Sequence, residues 1–269
     1  MTSGLDNLSL ALFTALAPAG VVAFIVLALA RIFSADHDRA VRIDRMIAFA
    51  VALLGFIASA THLGTPANAL HVFAGVGTSP LSNEVLSAVV FLFLSGSYWM
   101  AAFKVNFPDA LAKPWLVAAC LAGIALLACT SQAYAVRTVP TWNTPYTPTN
   151  LIFAGLFEGA VFSQIFLSAA KAPLQRTGIV LVGLAGVSLV GNIAVMAAQN
   201  TALNAIANNE FAAATLAPDY SLIIAFYALA GLAAIVLDGW ALRAATSTRT
   251  RFIMRIIAGV LAFAAVFAA

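Results

Sequence analysis

The fold is decided by uncharged apolar stretches such as residues 177–198, which read TGIVLVGLAGVSLVGNIAVMAA. A helix of about 20 mainly apolar residues is long enough to cross the hydrocarbon core of a membrane. Stretches of this kind predict eight spans, which cover residues 9–31, 45–62, 82–103, 114–136, 149–170, 174–198, 220–242 and 252–269. The sequence therefore predicts an all-α polytopic membrane protein with eight transmembrane helices, built as one membrane-embedded domain over residues 1–269.

The composition excludes several other classes of protein. Of the 269 residues, 63% are apolar and 9% are charged, whereas a soluble domain has about 25% charged residues. The same hydrophobicity excludes intrinsic disorder. The two cysteines, with no cluster of Cys and His, give no ligand set for a disulfide framework, a zinc site or an iron–sulfur cluster in this protein.

The basic residues predict the orientation of the chain. Twelve of the 13 Lys and Arg residues fall in the segments 31–45, 104–113, 171–176 and 243–255, and only Arg137 lies on the other side. Loops rich in Lys and Arg stay in the cytoplasm, so both termini are expected on the periplasmic face of a bacterial inner membrane. We expect these residues to set the topology and to contact lipid, not nucleic acid. The N-terminus lacks a cleavage signal, so the first span is expected to be retained.

The loops on the other side have a different character. The segments 63–81, 137–148 and 199–219 are long, carry little charge and are rich in Pro, Thr, Asn and aromatic residues. Such loops suit a docking surface for a protein partner outside the membrane. The alternative for aromatic residues such as Trp142 and Tyr146 is a place in the interfacial belt of the membrane.

A weak internal repeat divides the sequence. Residues 12–27 align with residues 152–167 at an offset of 140 residues, so that Phe13 matches Phe153 and Ile25 matches Ile165. The repeat predicts two four-helix halves.

Two titratable residues lie at the predicted outer edge of neighbouring spans. His62 ends the second span, and Glu84 begins the third. A histidine beside a carboxylate exchanges protons near neutral pH. Oxidation of a quinol requires such groups, because two hydroxyl protons leave with two electrons. The alternative for Glu84 is an acidic residue in the first turn of a helix, favoured by the helix dipole, with Ser82 as the cap.

Two further carboxylates lie within predicted spans, where each ionisable group is a functional hypothesis. Glu158 lies in the middle of the fifth span, where it can be protonated, pair across helices or line a proton path. Asp238 lies near the inner end of the seventh span, close in sequence to Arg243, with which it can pair. Both carboxylates are therefore candidates for a proton relay.

The number of histidines bears on haem binding. Of the three histidines, only His62 belongs to a predicted span, and a six-coordinate haem between facing helices commonly needs two axial histidines. The sequence predicts no haem and no metal site in this protein.

Three stretches resemble one family. They are HLGTP at 62–66 with LSNE at 81–84, TVPTW at 138–142 with Thr147-Pro148, and APDY at 217–220. In order and spacing they are similar to the membrane anchor subunit of the dimethyl sulfoxide reductase family, and the resemblance extends over nearly the whole sequence. Two departures point to a relative of that enzyme: the sequence stops at Ala269, without the terminal segment of the best-known members, and Glu158 stands where a small residue is expected.

The resemblance implies an anchor in a complex of three subunits that serves anaerobic respiration. Its partners are a molybdopterin catalytic subunit and a subunit with iron–sulfur clusters. It implies a haem-free quinol site at the outer edge of spans two and three, and it assigns the site histidine and glutamate to His62 and Glu84. We expect Thr65, Trp142 and Tyr146 to wall the pocket. Quinol then enters from the lipid as a diffusible substrate, and its electrons pass to an iron–sulfur subunit docked on the periplasmic loops.

Four alternatives stay open. The same anchor can run in reverse and reduce quinone, as in a sulfite dehydrogenase complex. If the partner is cytoplasmic, the site is expected near Arg31, Arg42, Asp238 and Arg243. A rival from another class is an ion-coupled transporter with Glu158 and Asp238 as coupling groups. A purely structural anchor would have no quinone chemistry at all.

Overall fold

The computed structural model describes residues 8–60, 66–103, 108–207, 212–243 and 247–269. Within these ranges, eight helices have 21 residues or more: α1 (Leu8–Ile32), α2 (His37–Ala60), α3 (Pro80–Ala102), α4 (Asp109–Ala133), α5 (Tyr146–Ala169), α6 (Gln175–Leu203), α7 (Tyr220–Arg243) and α8 (Thr248–Ala268). A 3₁₀ helix (Pro66–Gly75) precedes α3, and one helical turn (Ala213–Leu216) precedes α7. The described residues form no β-strand, so the prediction of an all-α protein is confirmed.

Seven of these helices are long and apolar enough to cross a membrane, namely α1 from Leu10 onward and α3 to α8. The prediction of a polytopic, multi-pass membrane protein is therefore confirmed. Helix α2 has a comparable length, but five charged residues lie among its first nine positions, 37–45. Its predicted apolar span, 45–62, continues past Ala60, where the described range ends. The eighth span and the orientation of the termini stay predictions.

Helix α2 begins eight residues before its predicted span. The Asp36 side chain accepts a hydrogen bond from the backbone N–H of Arg39 at 3.1 Å, which is the geometry of an N-cap. This hydrogen bond, which favours the ionised carboxylate, lowers the pKa of Asp36. The prediction of a loop over 31–45 was therefore too long, because Arg39, Arg42 and Arg45 lie on the first turns of α2.

The helices pack as two groups of four. In the first group α1 packs on α2, α2 on α3 and α3 on α4, and α4 returns to α1. Helices α5 to α8 repeat this cyclic order, with α8 returning to α5. The packing follows the division that the sequence repeat predicts.

Two glycines bring the groups into contact along α1 and α5, which share an extensive interface. A Cβ atom on Gly155 would lie 2.6 Å from the Cβ of Pro18, and one on Gly159 would lie 2.5 Å from the Cβ of Val22. Real Cβ atoms do not approach so closely. The two helices therefore pack as tightly as they do because both positions lack a side chain.

Polar contacts identify the two ends of the bundle. At one end, Arg31 in α1 donates to Asp44 in α2 and to Asp109 in α4, at 3.1 Å and 2.8 Å. At the opposite end, Asn150 near the start of α5 donates to Gln199 near the end of α6. All the described Lys and Arg residues except Arg137 belong to helix ends and loops on the side of Arg31. We call that side the basic end and the opposite side the loop end.

Candidate functional site

The predicted quinol site lies only partly within the described residues. His62 and Thr65 fall in the range 61–65, which lies outside them. Their predicted roles therefore stay predictions. Glu84, Trp142 and Tyr146 lie within the described residues, and all three belong to the loop end.

Glu84 lies in the second turn of α3. The helix begins at Pro80, and the Ser79 side chain accepts from the backbone N–H of Ser82 at 3.4 Å. The prediction of Ser82 as the cap was therefore wrong. Proline is favoured at the first helical position, so the helix begins at Pro80, two residues earlier than predicted, and Ser79 is the cap. Beyond the first turn, the helix dipole no longer explains an acidic residue.

The Glu84 carboxyl group is buried and incompletely paired. The residue is 7% exposed, and its Oε1 atom has no hydrogen-bond partner among the described residues. Its neighbour is Thr130 near the end of α4, whose side chain is within hydrogen-bonding reach. Such a carboxyl group keeps lone pairs free to accept a proton or a hydroxyl hydrogen bond.

A groove of about 320 Å³ lies between α3 and α4, and it is lined by neighbours of Glu84 in the sequence but not by Glu84 itself. Asn83 and Ser87, one and three residues from Glu84, line it together with Cys129. The other lining residues are apolar: Leu86, Val90, Ala122 and Ala125. The groove thus offers an apolar approach to the helix segment that carries Glu84.

Trp142 lines a different cavity, of about 310 Å³, which we call the loop-end cavity. It lies where α1, α5, α6, α7 and α8 meet the segment that follows α4, and its lining residues are Thr14, Ala15, Tyr134, Trp142, Thr147, Asn150, Leu151, Ala154, Asn192, Met196, Gln199, Tyr220, Val266 and Ala269. Neither Glu84 nor Tyr146 is among them. The structure therefore does not bring Glu84, Trp142 and Tyr146 together around one cavity.

Tyr134 is linked to both the loop-end cavity and Glu84, and no motif in the sequence marks it. It follows the last residue of α4, lines the loop-end cavity and is near enough to Glu84 to interact with its charge. Burial, and to a lesser extent the Glu84 carboxylate, raises the pKa of the Tyr134 phenol. A lone tyrosine at the end of a span is typical of an interfacial aromatic residue. The sequence therefore did not predict that Tyr134 lies at the cavity and near Glu84.

Side-chain amides at the loop end hydrogen-bond across helices. Asn150 donates to the Gln199 Oε1 atom at 2.6 Å, and the Tyr220 hydroxyl donates to the same atom at 3.1 Å. Deeper in the bundle, Asn192 donates to the Tyr227 hydroxyl at 2.9 Å. The Oδ1 atoms of Asn150 and Asn192 have no partner among the described residues.

Glu158 is enclosed in the protein beside the contact between α1 and α5. Its exposed fraction is 0%, and neither carboxylate oxygen has a hydrogen-bond partner among the described residues. Tyr227 is near enough to interact with its charge. Among the described residues, no cation from another helix pairs with Glu158. Of the three hypotheses for Glu158, two therefore stay open: that its carboxyl group is protonated, and that it lines a proton path.

Asp238 has other partners than its sequence neighbour. Its Oδ2 atom accepts from Gln164 in α5 at 2.9 Å, and the cation that interacts with it is Arg255 in α8. Arg243 is exposed and forms no described ion pair with it. The expected pairing with Arg243 was therefore wrong, because the fold brings a residue from the next helix nearer. No hydrogen bond joins Asp238 to Glu158 within the described residues.

The residues of the alternative cytoplasmic site serve mainly as links between helices. Arg31 binds two aspartates, as described above, and Arg42 donates to the backbone oxygen of Ala170 at 2.9 Å. The described residues include no group of three or more His, Cys, Asp and Glu side chains that suits a metal ion. The absence of haem stays a prediction.

Comparison with known proteins identifies the sequence as a whole. Residues 1–268 match the family described as DMSO reductase anchor subunit (DmsC). This chain belongs to the DMSO reductase anchor subunit family. The anchor is 30% identical over 223 residues to the anaerobic dimethyl sulfoxide reductase chain YnfH of Escherichia coli K12, a match that spans 82% of this anchor and 78% of that protein. It is 31% identical over 226 residues to an anaerobic dimethyl sulfoxide reductase chain of Haemophilus influenzae, with 83% and 80% covered.

A more limited similarity points to another complex. The anchor is 30% identical over 162 residues to a sulfite dehydrogenase subunit of Allochromatium vinosum, a match that spans 55% of this anchor and 49% of that protein. The resemblance inferred from three short stretches of sequence is thus confirmed at the level of the anchor family.

Proposed function

We propose that this membrane anchor oxidises quinol at the loop end and passes the electrons to an iron–sulfur subunit, which supplies a molybdopterin catalytic subunit. The anchor role follows from the family. The observation that supports the chemistry is Glu84, a buried carboxyl group with an unpaired oxygen at the end opposite the basic residues. By the positive-inside rule, this end faces the periplasm of a bacterial inner membrane.

The protons of the quinol need two acceptors. Quinol becomes quinone by breaking two O–H bonds, which releases two protons and two electrons. In this proposal His62 takes one proton, and Glu84 takes the second or orients the imidazole. A lone pair on the Glu84 Oε1 atom is free for this purpose, since no described donor occupies it.

The groove between α3 and α4 supplies a route from the lipid. Its walls are mostly apolar, and Asn83 and Ser87 bring polar atoms close to the segment that holds Glu84. A ring with an isoprenoid tail fits such a surface, because the tail contacts apolar side chains while the hydroxyls meet polar ones. Quinol is thus a diffusible substrate of the anchor, not a bound cofactor.

The electrons leave through the partner. An anchor without haem needs its quinol close to the docked iron–sulfur subunit, because electron tunnelling falls steeply with distance. The segment 134–145 after α4 and the described residues between α6 and α7, 204–207 and 212–219, belong to the same end as Glu84. We therefore assign the docking surface to the loop end, and the iron–sulfur clusters and molybdopterin to the partner subunits.

Reverse flow is the second candidate function. The partial similarity to a sulfite dehydrogenase subunit favours it. In that case the same groups would donate two protons to a quinone that receives two electrons from the partner. The two directions differ in which substrate, quinol or quinone, the assembled complex consumes under turnover.

A proton relay through Glu158 and Asp238 is a further part of the proposal. Glu158 is buried without a described partner in the middle of the bundle, and Asp238 is held by Gln164 nearer the basic end. Groups at these two depths would allow protons to move across the membrane during turnover. The transporter hypothesis uses the same residues, but it requires activity of the anchor without partner subunits.

The proposal is tested by Glu84→Gln in the assembled complex. Reduction of the partner's iron–sulfur clusters by a water-soluble quinol is followed in a stopped-flow spectrometer. We expect the rate to fall at least tenfold, because the amide cannot accept the second proton. The control is Asp38→Asn, which neutralises an exposed acid at the basic end, away from the proposed docking surface, and is expected to leave the rate within twofold. Equal rates for both variants would contradict the proposal.

A further inference from the structure

Two buried polar side chains lie between the loop-end cavity and Glu158. Asn192 in α6 lines the cavity, and its Nδ2 atom donates to the Tyr227 hydroxyl in α7 at 2.9 Å. Tyr227 in turn is near enough to Glu158 in α5 to interact with its charge. All three side chains are buried. A row of residues thus leads from the cavity into the middle of the second four-helix group.

The cavity itself reaches the surface at the loop end. Trp142 and Ala269 belong to its wall and are exposed. Tyr134, Thr147 and Gln199 contribute polar atoms to the same wall. Water therefore has access to the cavity and to the Asn192 side chain.

The Tyr227 hydroxyl has a hydrogen and a lone pair to spare. A tyrosine hydroxyl has one hydrogen and two lone pairs, and Asn192 donates to one of these lone pairs. Both carboxylate oxygens of Glu158 lack a hydrogen-bond partner among the described residues. The Phe157 ring packs edge-on against the Tyr227 ring, with centroids 5.9 Å apart, and holds the phenol in place. The hydroxyl is thus free to turn its hydrogen toward Glu158.

Apolar side chains separate Glu158 from the basic end. Gly231 lies one turn beyond Tyr227 on α7, and a Cβ atom there would lie 2.5 Å from Leu189 and 3.3 Å from the ring of Phe157. Leu189 and Phe157 are both buried. Asp238 lies beyond this tightly packed layer along α7. A proton therefore reaches Glu158 more readily from the cavity than from Asp238.

We propose that Glu158 exchanges its proton with the loop-end cavity by way of the Tyr227 hydroxyl, which Asn192 positions. This inference rests on the relay in the proposed function and deepens it, because it assigns the end from which Glu158 is reached. The Tyr227 hydroxyl gives its hydrogen to the Glu158 carboxylate, and its oxygen takes a proton from a hydronium ion in the cavity. Water and a protonated Glu158 result, and the reverse step returns the proton to the cavity. The Oδ1 atom of Asn192, unpaired among the described residues, holds the water beside Tyr227.

The sequence allows Glu158 to be observed by itself. The protein has three glutamates, at positions 84, 158 and 210. With Glu84→Gln and Glu210→Gln in place, glutamate that carries ¹³C in its side-chain carboxyl group labels Glu158 alone, and cell-free synthesis keeps the label out of other residues. Infrared spectra of labelled and unlabelled full-length anchor in a lipid film are subtracted. The carbonyl band of protonated Glu158 then shifts as deuterium replaces the proton after a change to D₂O buffer, and this exchange rate is measured.

The first variant removes only the hydroxyl that carries the proton. Tyr227→Phe keeps the ring beside Phe157, and we expect it to slow the exchange of Glu158 at least tenfold. The matched control is Tyr220→Phe, because Tyr220 also lines the cavity but donates to Gln199. Its exchange rate should stay within twofold of the parent rate.

Two variants at Asn192 separate positioning from packing. Asn192→Leu keeps the volume but holds neither Tyr227 nor water, and we expect the exchange to slow at least fivefold. Asn192→Ser loses volume but keeps a hydroxyl that holds water, and its rate should lie within threefold of the parent rate. If Asn192 served packing alone, the smaller serine would disturb the protein more than leucine does.

A variant at the other side tests the direction. Gln164 donates to Asp238 on the far side of the apolar layer, so Gln164→Met should leave the exchange of Glu158 within twofold. Slower exchange in Gln164→Met with a normal rate in Tyr227→Phe would assign the route to the basic end and overturn the inference. Equal rates in the Tyr227 and Tyr220 variants, or a Glu158 spectrum without the band of a protonated carboxyl group, would overturn it as well.

The exchange needs no quinol, so its outcome is separate from that of the proposed function. If exchange depends on Tyr227 but Glu84→Gln leaves the reduction of the iron–sulfur clusters unchanged, the proposed function fails and the proton route stands. If cluster reduction depends on Glu84 but exchange does not depend on Tyr227, the proposed function stands without this route.

Discussion

Gly159 in α5 faces Val22 in α1 so closely that a Cβ atom on the glycine would lie 2.5 Å from the Cβ of the valine. This contact holds the two four-helix groups together over the stretch that also encloses Glu158. The absence of a side chain at one position thus sets the packing around a buried carboxyl group.

Gly159→Ala is expected to destabilise the anchor by about 1–3 kcal/mol, because the added methyl group must push the two helices apart. Gly183→Ala is the matched control, since a Cβ atom there meets nothing within 4 Å. The free energy of unfolding of the purified anchor in mixed detergent micelles measures both effects. Equal stabilities of the two variants would show that α1 and α5 do not meet through the glycine.

The Arg31 network at the basic end is expected to matter for stability. Arg31 and Asp44 are 3% and 7% exposed, and the Tyr98 hydroxyl donates to Asp44 at 2.8 Å. Arg31→Met leaves the Asp44 carboxylate buried without its cation, which typically costs about 3–5 kcal/mol. Arg39→Met breaks a more exposed ion pair with Asp36, at 3.6 Å, and should cost at most about 1 kcal/mol.

The same unfolding assay decides whether this network contributes to stability. A loss for Arg31→Met no larger than that for Arg39→Met would mean that the network adds nothing beyond a surface ion pair. Growth or activity assays would not separate these cases, because both variants can leave the protein inserted in the membrane.

Tyr134 gives a pH-dependent prediction. Its pKa is raised in the folded protein, so the unfolded protein loses this proton at a lower pH than the folded protein does. The contribution of Tyr134 to stability is then complete below about pH 10, the ordinary pKa of tyrosine, and is lost as the pH rises toward the folded pKa.

Unfolding measured between about pH 9 and pH 11.5, a window around the ordinary tyrosine pKa, checks this sign. Tyr134→Phe should reduce the alkaline loss of stability, and Tyr146→Phe, at the start of α5, serves as the comparison. An unchanged slope in Tyr134→Phe would contradict the burial of this phenol next to Glu84.

Glu158→Gln tests the proton relay. The amide has nearly the same shape as the carboxylic acid, and Glu158 has no described hydrogen bond to lose, so the stability should change little. In proteoliposomes with a trapped pH dye, we expect fewer protons to cross the membrane for each quinol oxidised. Unchanged proton movement would leave Glu158 with a packing role only.

The helices could be predicted from the sequence because long apolar runs leave a membrane segment no other backbone structure. The predictions failed where a local hydrogen bond sets the start of a helix, or where a residue from a distant helix is the partner of a side chain. Asp36 caps α2, so that the charged residues predicted to form a loop belong to the start of this helix. Pro80 is the first residue of α3, so that Ser79 is the cap of that helix. Asp238 meets Gln164 and Arg255 from other helices, which no spacing along the sequence shows.

The candidate site was predictable in part for a similar reason. Glu84 stood out because a carboxylate at a span is costly and therefore conspicuous. The loop-end cavity did not, because Asn150, Asn192 and Tyr134 are ordinary residues in membrane helices until several helices bring them together. Such convergence depends on tertiary packing, which the hydropathy of single spans does not contain.

The central claim is that His62 handles a proton of the quinol at the loop end. The direct test is the rate at which quinol reduces the iron–sulfur subunit in complexes that carry His62→Gln. The matched control is His37→Gln, because His37 is exposed at the start of α2, at the basic end and away from the proposed docking surface. We predict that the rate falls at least tenfold in the first variant and stays within twofold in the second. A normal rate and a normal KM for quinol in His62→Gln would contradict the account.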